Sequence, residues 1–362
     1  MKVLLIARAS LYKEPGGDTI QITATAKYLR LLGVEADIKL THEVKDYMSY
    51  DLLHFFNIFR PADMLVHIRR SKKPFVVSTI YVEYLEYDKK FRQGLSRIIF
   101  KILPLDFTEY VKVIARRFSS GERIMSREYL WLGQKKSIQQ ILLQASFLLP
   151  NSYNEYSRLQ KQFILTNAVE IVANGIDQTI FRSGVVPGRK DKLLVLCVGR
   201  IEGLKNQLNL IKALNGSRFT LLLIGKHAVN QPAYWHQCKE VAGENVHFIE
   251  SMPQEELVDY YTRAKVHVLA SWFETTGLSS LEAAAMGCNI VITDRGDAKE
   301  YFGADAWYCD PSSPESILKA VEQAANADYN DNLSSRIYSQ YTWEVAATQT
   351  LKAYTASLKN YM

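Results

Sequence analysis

The chain opens with an uninterrupted apolar run, residues 3–7, set between Lys2 and Arg8. A run this short, bounded by charge, predicts a strand buried on both faces. Glu14-Pro15-Gly16-Gly17-Asp18 then predicts a turn, and helical spacing over residues 20–32, stopped by Gly33, predicts an amphipathic helix. Residues 34–40, 51–56 and 74–79 predict three more strands. Strands alternating with helices imply a parallel sheet covered on both faces. From residue 84 to 143 the pattern becomes long, aromatic and basic, with helix-compatible stretches at 91–103 and 110–118, and predicts a helical insert. Strand patterns return at 145–150 and 169–173.

Residues 183–191 carry glycine, proline and charge with little apolar content, and predict a linker. A second strand–helix series follows, with strands at 193–198, 219–224, 246–249, 267–270 and 289–293. Residues 342–358 predict a final helix. The expected fold class is α/β, with two Rossmann-like parallel-sheet domains divided at 183/184. A length of 362 residues with 48% hydrophobic content suits two such cores.

Charge changes this picture in one region. Between Lys89 and Lys136 twelve Lys or Arg face four Asp or Glu, a balance of +8 in a chain whose net charge is only +6. Such a region, interleaved with aromatics, predicts an anionic partner such as lipid headgroups at a membrane surface, phosphorylated acceptors or nucleic acid, with a solvated helical face as the plainer alternative. No nucleic-acid-recognition motif accompanies it. The four cysteines form no Cys-x-x-Cys pair and predict buried free thiols in a reducing compartment. The first apolar run is too short for a signal peptide, and no stretch is long enough for a membrane span. The expected location is cytoplasmic, with any membrane contact peripheral.

The candidate chemistry lies in the second half. Glu274 and Glu282 flank Thr275-Thr276-Gly277-Leu278, which places one carboxylate in a loop and the other a turn into the next helix. Free N–H groups at that helix start attract phosphate, and the two carboxylates suit sugar hydroxyls. The plainer alternative is a helix with two solvated glutamates. Gly199-Arg200 and Lys205 follow a strand on the same carboxyl edge of the sheet, where two cations suit a diphosphate. Gly16-Gly17 is a weaker candidate for close approach to a ligand. Asn174-Gly175 reads as a turn closing the first domain. His54, at the end of a short apolar strand, reads as a structural histidine, with a cleft-lining role as the alternative. No Asp-x-Asp pair is present, so no metal-bridged diphosphate is expected; nor is there a P-loop, a zincin motif or a nucleophile elbow.

Together these spacings resemble the retaining glycosyltransferase family 4, of the GT-B fold. The likeness is strongest from residue 145 to 300. Ser152 with Glu155, Asn174-Gly175-Ile176-Asp177 and Phe181 look like the family's segment before its hinge. Gly199, Arg200 and Lys205 are similar to its phosphate motif, and Glu274 with Glu282 to its paired glutamates. Gly296 and Glu300 resemble its following Gly-rich loop. The resemblance implies two domains facing across a cleft: 1–183 on the acceptor side, 184–341 holding the donor, and 342–362 crossing back to the first. Arg200 and Lys205 would contact the diphosphate, Glu282 the ribose and Glu274 the transferred sugar. Arg200, Lys205 and Glu274 form the catalytic group. Gly16, Gly17, Gly199, Thr276, Gly277 and Leu278 join them around the donor.

The sequence departs from the family where a histidine is usual and Tyr81 stands nearby. It also departs at Glu250-Ser251, where a glycine is usual, and at Ala270, where a proline is usual. The implied activity is metal-independent, retaining transfer of a sugar from a UDP- or GDP-linked donor to a saccharide or lipid-linked acceptor, as in bacterial surface polysaccharide synthesis. It needs no further cofactor. A phosphorylase, a nucleotide-sugar epimerase and a non-catalytic nucleotide-sugar-binding protein share the same architecture.

Overall fold

The computed structural model describes residues 1–82, 126–182, 190–329, 331–359 and 361. They form two compact units, Met1–Ala173 with Trp343–Met362, and Asn174–Thr342. Residues 84–125 of the expected insert, and most of the basic region, lie outside the described residues.

The first unit is a parallel sheet in the order β2-β1-β3-β4-β5-β6. Its strands are β1 (Lys2–Ala7), β2 (Glu35–Leu40), β3 (Leu52–Phe56), β4 (Phe75–Ser78), β5 (Phe147–Leu148) and β6 (Ala168–Val169). Its helices are α1 (Gly17–Leu31), α2 (Pro61–Ser71), α3 (Arg127–Gln144) and α4 (Tyr153–Gln162). Every residue of β3 and β4 is buried, the expected result for central strands covered on both faces. Helix α3 begins where the Ser126 hydroxyl accepts from the Tyr129 N–H, and it is kinked at Gly133, whose φ is 69°.

The second unit repeats the architecture in the order β12-β11-β10-β7-β8-β9. Its strands are β7 (Asp191–Val198), β8 (Thr220–Ile224), β9 (Val246–Ile249), β10 (Ala264–Leu269), β11 (Asn289–Thr293) and β12 (Ala306–Cys309). Its helices are α5 (Gln207–Leu214), α6 (Pro232–Val241), α7 (Gln254–Arg263), α8 (Leu278–Ala285), α9 (Ala298–Phe302), α10 (Pro314–Asn326) and α11 (Asp331–Gln340). The last helix, α12 (Trp343–Lys359), belongs to the first unit and packs on α1. The chain has the GT-B architecture of two Rossmann-like units.

The boundary between the units falls at Ala173/Asn174, and residues 183–189 of the expected linker lie outside the described residues. Segment 174–182 packs with the second unit: Ile176 N–H donates to the Tyr341 carbonyl at 2.9 Å, Gln178 to the Tyr338 carbonyl at 2.9 Å, and Phe181 lies against Tyr261. A Cβ on Gly175 would stand 2.4 Å from the Thr342 backbone, so the Asn-Gly pair serves close packing as well as a turn. The structure also adds a strand the sequence reading does not name, the edge strand β12, whose residues Ala306–Tyr308 are only partly buried. Its four residues, Ala306-Trp307-Tyr308-Cys309, form a short apolar run that the sequence reading passes over.

His54 is a core residue. Its Nδ1 shares a 2.6 Å hydrogen bond with the Tyr354 hydroxyl of α12, and its Nε2 a 2.8 Å bond with Ser78. Burial pushes its pKa down to about 3, so the ring is neutral. Glu155 is also structural. The Ser152 hydroxyl accepts its N–H at the start of α4, and the buried carboxylate accepts from Thr79, from Tyr81 N–H at 2.8 Å and from Asn151 N–H at 2.9 Å. All four cysteines are free and buried. No helix among the described residues is long and apolar enough to cross a membrane.

Candidate functional site

The site is built at the carboxyl edge of the second sheet, from two loops sewn together by backbone and side-chain bonds. The first runs from the end of β7 to α5. Its Gly199 has φ 154°, and a Cβ on the facing Gly225 would stand 2.1 Å from the Gly199 carbonyl. Glycine at both positions lets the ends of β7 and β8 close on each other. The second loop runs from β10 to α8. Trp272 N–H donates to the Leu204 carbonyl at 2.9 Å, and Asn206 Nδ2 donates to the Ala270 carbonyl at 2.9 Å. Ser279 in the first turn of α8 donates to the Val198 carbonyl at 2.8 Å. Residues distant in sequence are thereby fixed side by side.

Lys205 and Glu274 meet at this seam. The Lys205 ammonium donates to Glu274 Oε1, and the Ser271 hydroxyl donates to the same oxygen at 2.6 Å. Burial pushes the Lys205 pKa down, but the Glu274 carboxylate, its hydrogen bond and Glu202 together push it up, and the net direction is up. Arg200 forms a two-pronged pair with Glu202, at 2.9 and 3.0 Å. The Glu274 backbone is pinned from behind: its N–H donates to the Arg295 carbonyl at 3.1 Å and its carbonyl accepts from Asp297 N–H at 2.8 Å. Gly296 makes that pairing possible. Its φ is 96°, and a Cβ there would stand 2.1 Å from the Glu274 carbonyl oxygen.

Helix α8 starts at Gly277, whose φ of 70° is left-handed and whose Cβ would press within 3.0 Å of Ile292. The first-turn N–H groups of a helix have no partner within it, so the amides near Leu278 and Ser279 form an anion-attracting end beside Lys205. The Thr276 side chain turns inward, where its hydroxyl accepts from Asn174 at 3.1 Å and donates to Tyr301 at 3.3 Å.

Glu282 lies one turn deeper and is buried. Gln254, the first residue of α7, donates to Oε1 at 2.6 Å, and the Tyr261 hydroxyl donates to Oε2 at 3.1 Å. Burial pushes its pKa up to about 7, outweighing the two hydrogen bonds that pull it down. A carboxyl balanced near neutrality, with both oxygens oriented, is ready to accept further hydroxyl donors.

Gly16 and Gly17 belong to the first unit, at the start of α1. Neither has a left-handed φ. A Cβ on Gly17 would meet nothing within 4 Å, and one on Gly16 only Asp18 Oδ1 at 3.3 Å. Local packing thus gives no reason for glycine at Gly17, whereas a side chain at Gly16 would crowd the Asp18 oxygen held by Arg8 and the Thr19 N–H.

The structure joins Gly199, Arg200, Lys205, Glu274, Thr276, Gly277, Leu278 and Glu282 in one unit. It adds Ser271, Gln254 and Tyr261, which are not among the candidate site residues read from the sequence, and it brings Asn174, read there as part of a closing turn, onto the Thr276 hydroxyl. Tyr261 pairs with Leu257 on the buried face of α7 and reads as ordinary core. Gln254 follows Pro253 and reads as a plain helix start. No sequence signal marks either as a partner of Glu282.

Residues 182–340 match the family model described as glycosyl transferases group 1. Escherichia coli O-antigen chain mannosyltransferase B is 26% identical over 170 residues, which is 44% of this chain and 45% of that protein. The chain spans less than half the length of the first curated relatives it matches. Among solved structures, sucrose-phosphate synthase from Thermosynechococcus elongatus superposes with a TM-score of 0.77 at 16% identity, covering 99% of this chain and 100% of the other. Anabaena Alr3699/HepE in complex with UDP and glucose superposes with a TM-score of 0.68 at 12% identity, covering 98% and 99%. The chain has the GT-B fold, and its residues 182–340, which hold the whole Lys205–Glu274–Glu282 site, match the group 1 glycosyl transferases.

Proposed function

We propose that this chain is a retaining, metal-independent glycosyltransferase of family 4 that moves a sugar from a UDP- or GDP-linked donor to a saccharide or lipid-linked acceptor. The observation that carries the reading is the Lys205–Glu274 pair, fixed beside the start of α8 with Glu282 one turn below. Glu282 accepts the ribose hydroxyls, Arg200 and Lys205 face the diphosphate, and Glu274 accepts hydroxyls of the transferred sugar. Gly16 and Gly17 meet the donor phosphates by backbone, and around Gly17 no neighbour excludes a side chain.

Before the donor binds, each cation is engaged with a carboxylate, Arg200 with Glu202 and Lys205 with Glu274. As the bond to the anomeric carbon breaks, negative charge grows on the departing diphosphate. The cations then shift their attraction from the carboxylates toward it. That interaction is stronger in the transition state than in the ground state, which is what accelerates the step. The O-antigen mannosyltransferase relative supports a role in surface polysaccharide synthesis. The UDP-bound Anabaena neighbour supports a UDP-linked donor.

The basic region at 89–136 is proposed to meet an anionic membrane on the cytoplasmic side. Its described end, the start of α3, presents Trp131 at 89% exposure. Incubating the full chain with UDP-glucose, GDP-mannose or ADP-glucose and following diphosphate release tests the reading. Slow hydrolysis of one donor, stimulated by an acceptor glycan, with the product anomer retained by NMR, is expected. Absence of release and of binding from every donor refutes it. Interconversion of sugars without an acceptor, or dependence on free phosphate, assigns an epimerase or a phosphorylase instead.

A further inference from the structure

Lys190 is a cation with no acidic partner among the described residues. Its ammonium donates to the Tyr261 carbonyl at 2.7 Å and the Met286 carbonyl at 2.8 Å, and approaches Cys288 Sγ at 3.9 Å. Burial pushes its pKa down, with Cys288 opposing and Lys265 adding to the shift. A half-buried ammonium without a carboxylate is retained for the carbonyls it serves.

Those carbonyls sit at two helix ends. Tyr261 is in the last turn of α7, and Met286 is the residue that closes α8. The last carbonyls of a helix lack partners within it and carry the negative end of its dipole. One ammonium therefore caps both ends at once. The Cys288 thiol adds a 3.0 Å bond to the same Tyr261 carbonyl. The same two helices carry the whole carboxylate cluster: Gln254 and Tyr261 on α7, Glu282 on α8.

We propose that Lys190 is a positioning residue for nucleotide binding, tying the carboxyl ends of α7 and α8 together and thereby holding Tyr261 and Gln254 on the carboxylate of Glu282. The proposal rests on the reading that Glu282 receives the ribose. It assigns Lys190 no contact with the ligand. Its effect runs through the Tyr261 hydroxyl, whose 3.1 Å bond to Glu282 Oε2 lengthens if α7 slides along α8.

Isothermal titration of the full chain separates this role from a general structural one, with UDP, GDP, ADP and inorganic pyrophosphate as probes. Pyrophosphate engages Arg200, Lys205 and the start of α8 but has no ribose. Lys190→Met is expected to weaken the best-bound nucleotide by about tenfold while changing pyrophosphate affinity by less than about twofold. Lys190→Arg, which still reaches both carbonyls, is expected to restore nucleotide affinity. In Tyr261→Phe the further change to Met at Lys190 is expected to add little, because both act on one carboxylate. Should Lys190→Met fail to fold, Lys190→Gln carries the same comparison. Unchanged nucleotide affinity overturns the proposal, and so does equal loss of nucleotide and pyrophosphate. If the wild-type chain binds none of the three nucleotides, the proposed function itself fails, and this inference with it.

Discussion

Glu282→Gln is expected to make the unliganded protein more stable and less able to bind nucleotide. Burial holds the Glu282 carboxyl at about 7, against an ordinary 4.5. The folded state therefore retains a proton that the unfolded state has already lost across that interval. Stability falls as pH rises from about 4.5 to about 7 and is level above. A shift of this size corresponds to roughly 3 kcal/mol, at about 1.4 kcal/mol per pH unit. A Gln at 282 mimics the protonated acid: its carbonyl can still accept from Gln254 and its amide can donate to the Tyr261 oxygen. Near pH 8 the variant is expected to gain up to about 3 kcal/mol over the wild type, and near pH 4.5 to match it. Urea denaturation at the two pH values, followed by tryptophan fluorescence, reads both numbers. Ligand binding runs the other way. Ribose hydroxyls stabilise the carboxylate, so wild-type affinity for UDP or GDP is expected to rise by up to about tenfold per pH unit below 7 and then level off. The variant should bind weakly with no such slope. Wild-type stability that is flat from pH 5 to 8, together with a variant less stable than wild type at pH 8, would refute the reasoning.

Lys205→Ala strands the Glu274 carboxylate, whose side chain is 5% exposed, without its cation. The expected loss is about 3 kcal/mol of stability along with activity. Adding Glu274→Gln should recover most of the stability and none of the turnover, as thermal melts and donor hydrolysis would show. Gly296→Ala forces a Cβ to within 2.1 Å of the Glu274 carbonyl oxygen and imposes an unfavourable φ. It should abolish donor binding in titration while far-ultraviolet circular dichroism keeps the α/β signature. Tyr354→Phe leaves buried His54 Nδ1 without its 2.6 Å partner. It should lower stability by about 1–3 kcal/mol in denaturant titration, with nucleotide affinity unchanged.

Much of the fold is legible in the chain because central parallel strands must be apolar on both faces. Residues of β3, β4, β10 and β11 are all buried and mostly apolar, interrupted by His54, Ser78, Lys265, His267, Asn289 and Thr293. The edge strand β12 is partly solvated and only four residues long, and pattern reasoning passes over its short apolar run. The unit boundary at 174 depends on the distant backbone of Tyr341 and Thr342, which local composition does not report. The charged residues of the site are legible as residue types in the right loops. Their pairing is not: Lys205 finds Glu274 across 69 residues of chain, and Tyr261 reaches Glu282 from another helix. Gly296 illustrates the same limit. Its glycine is visible in the sequence, but the Glu274 carbonyl it makes room for is not.

The most direct test of the central claim is a crystal structure of this chain with UDP or GDP bound. The account expects ribose hydroxyls within hydrogen-bonding distance of the Glu282 carboxylate and the diphosphate between Arg200, Lys205 and the first amides of α8. A nucleotide seated elsewhere, with the Lys205–Glu274 pair unaltered and Glu282 bonded only to Gln254 and Tyr261, would contradict it.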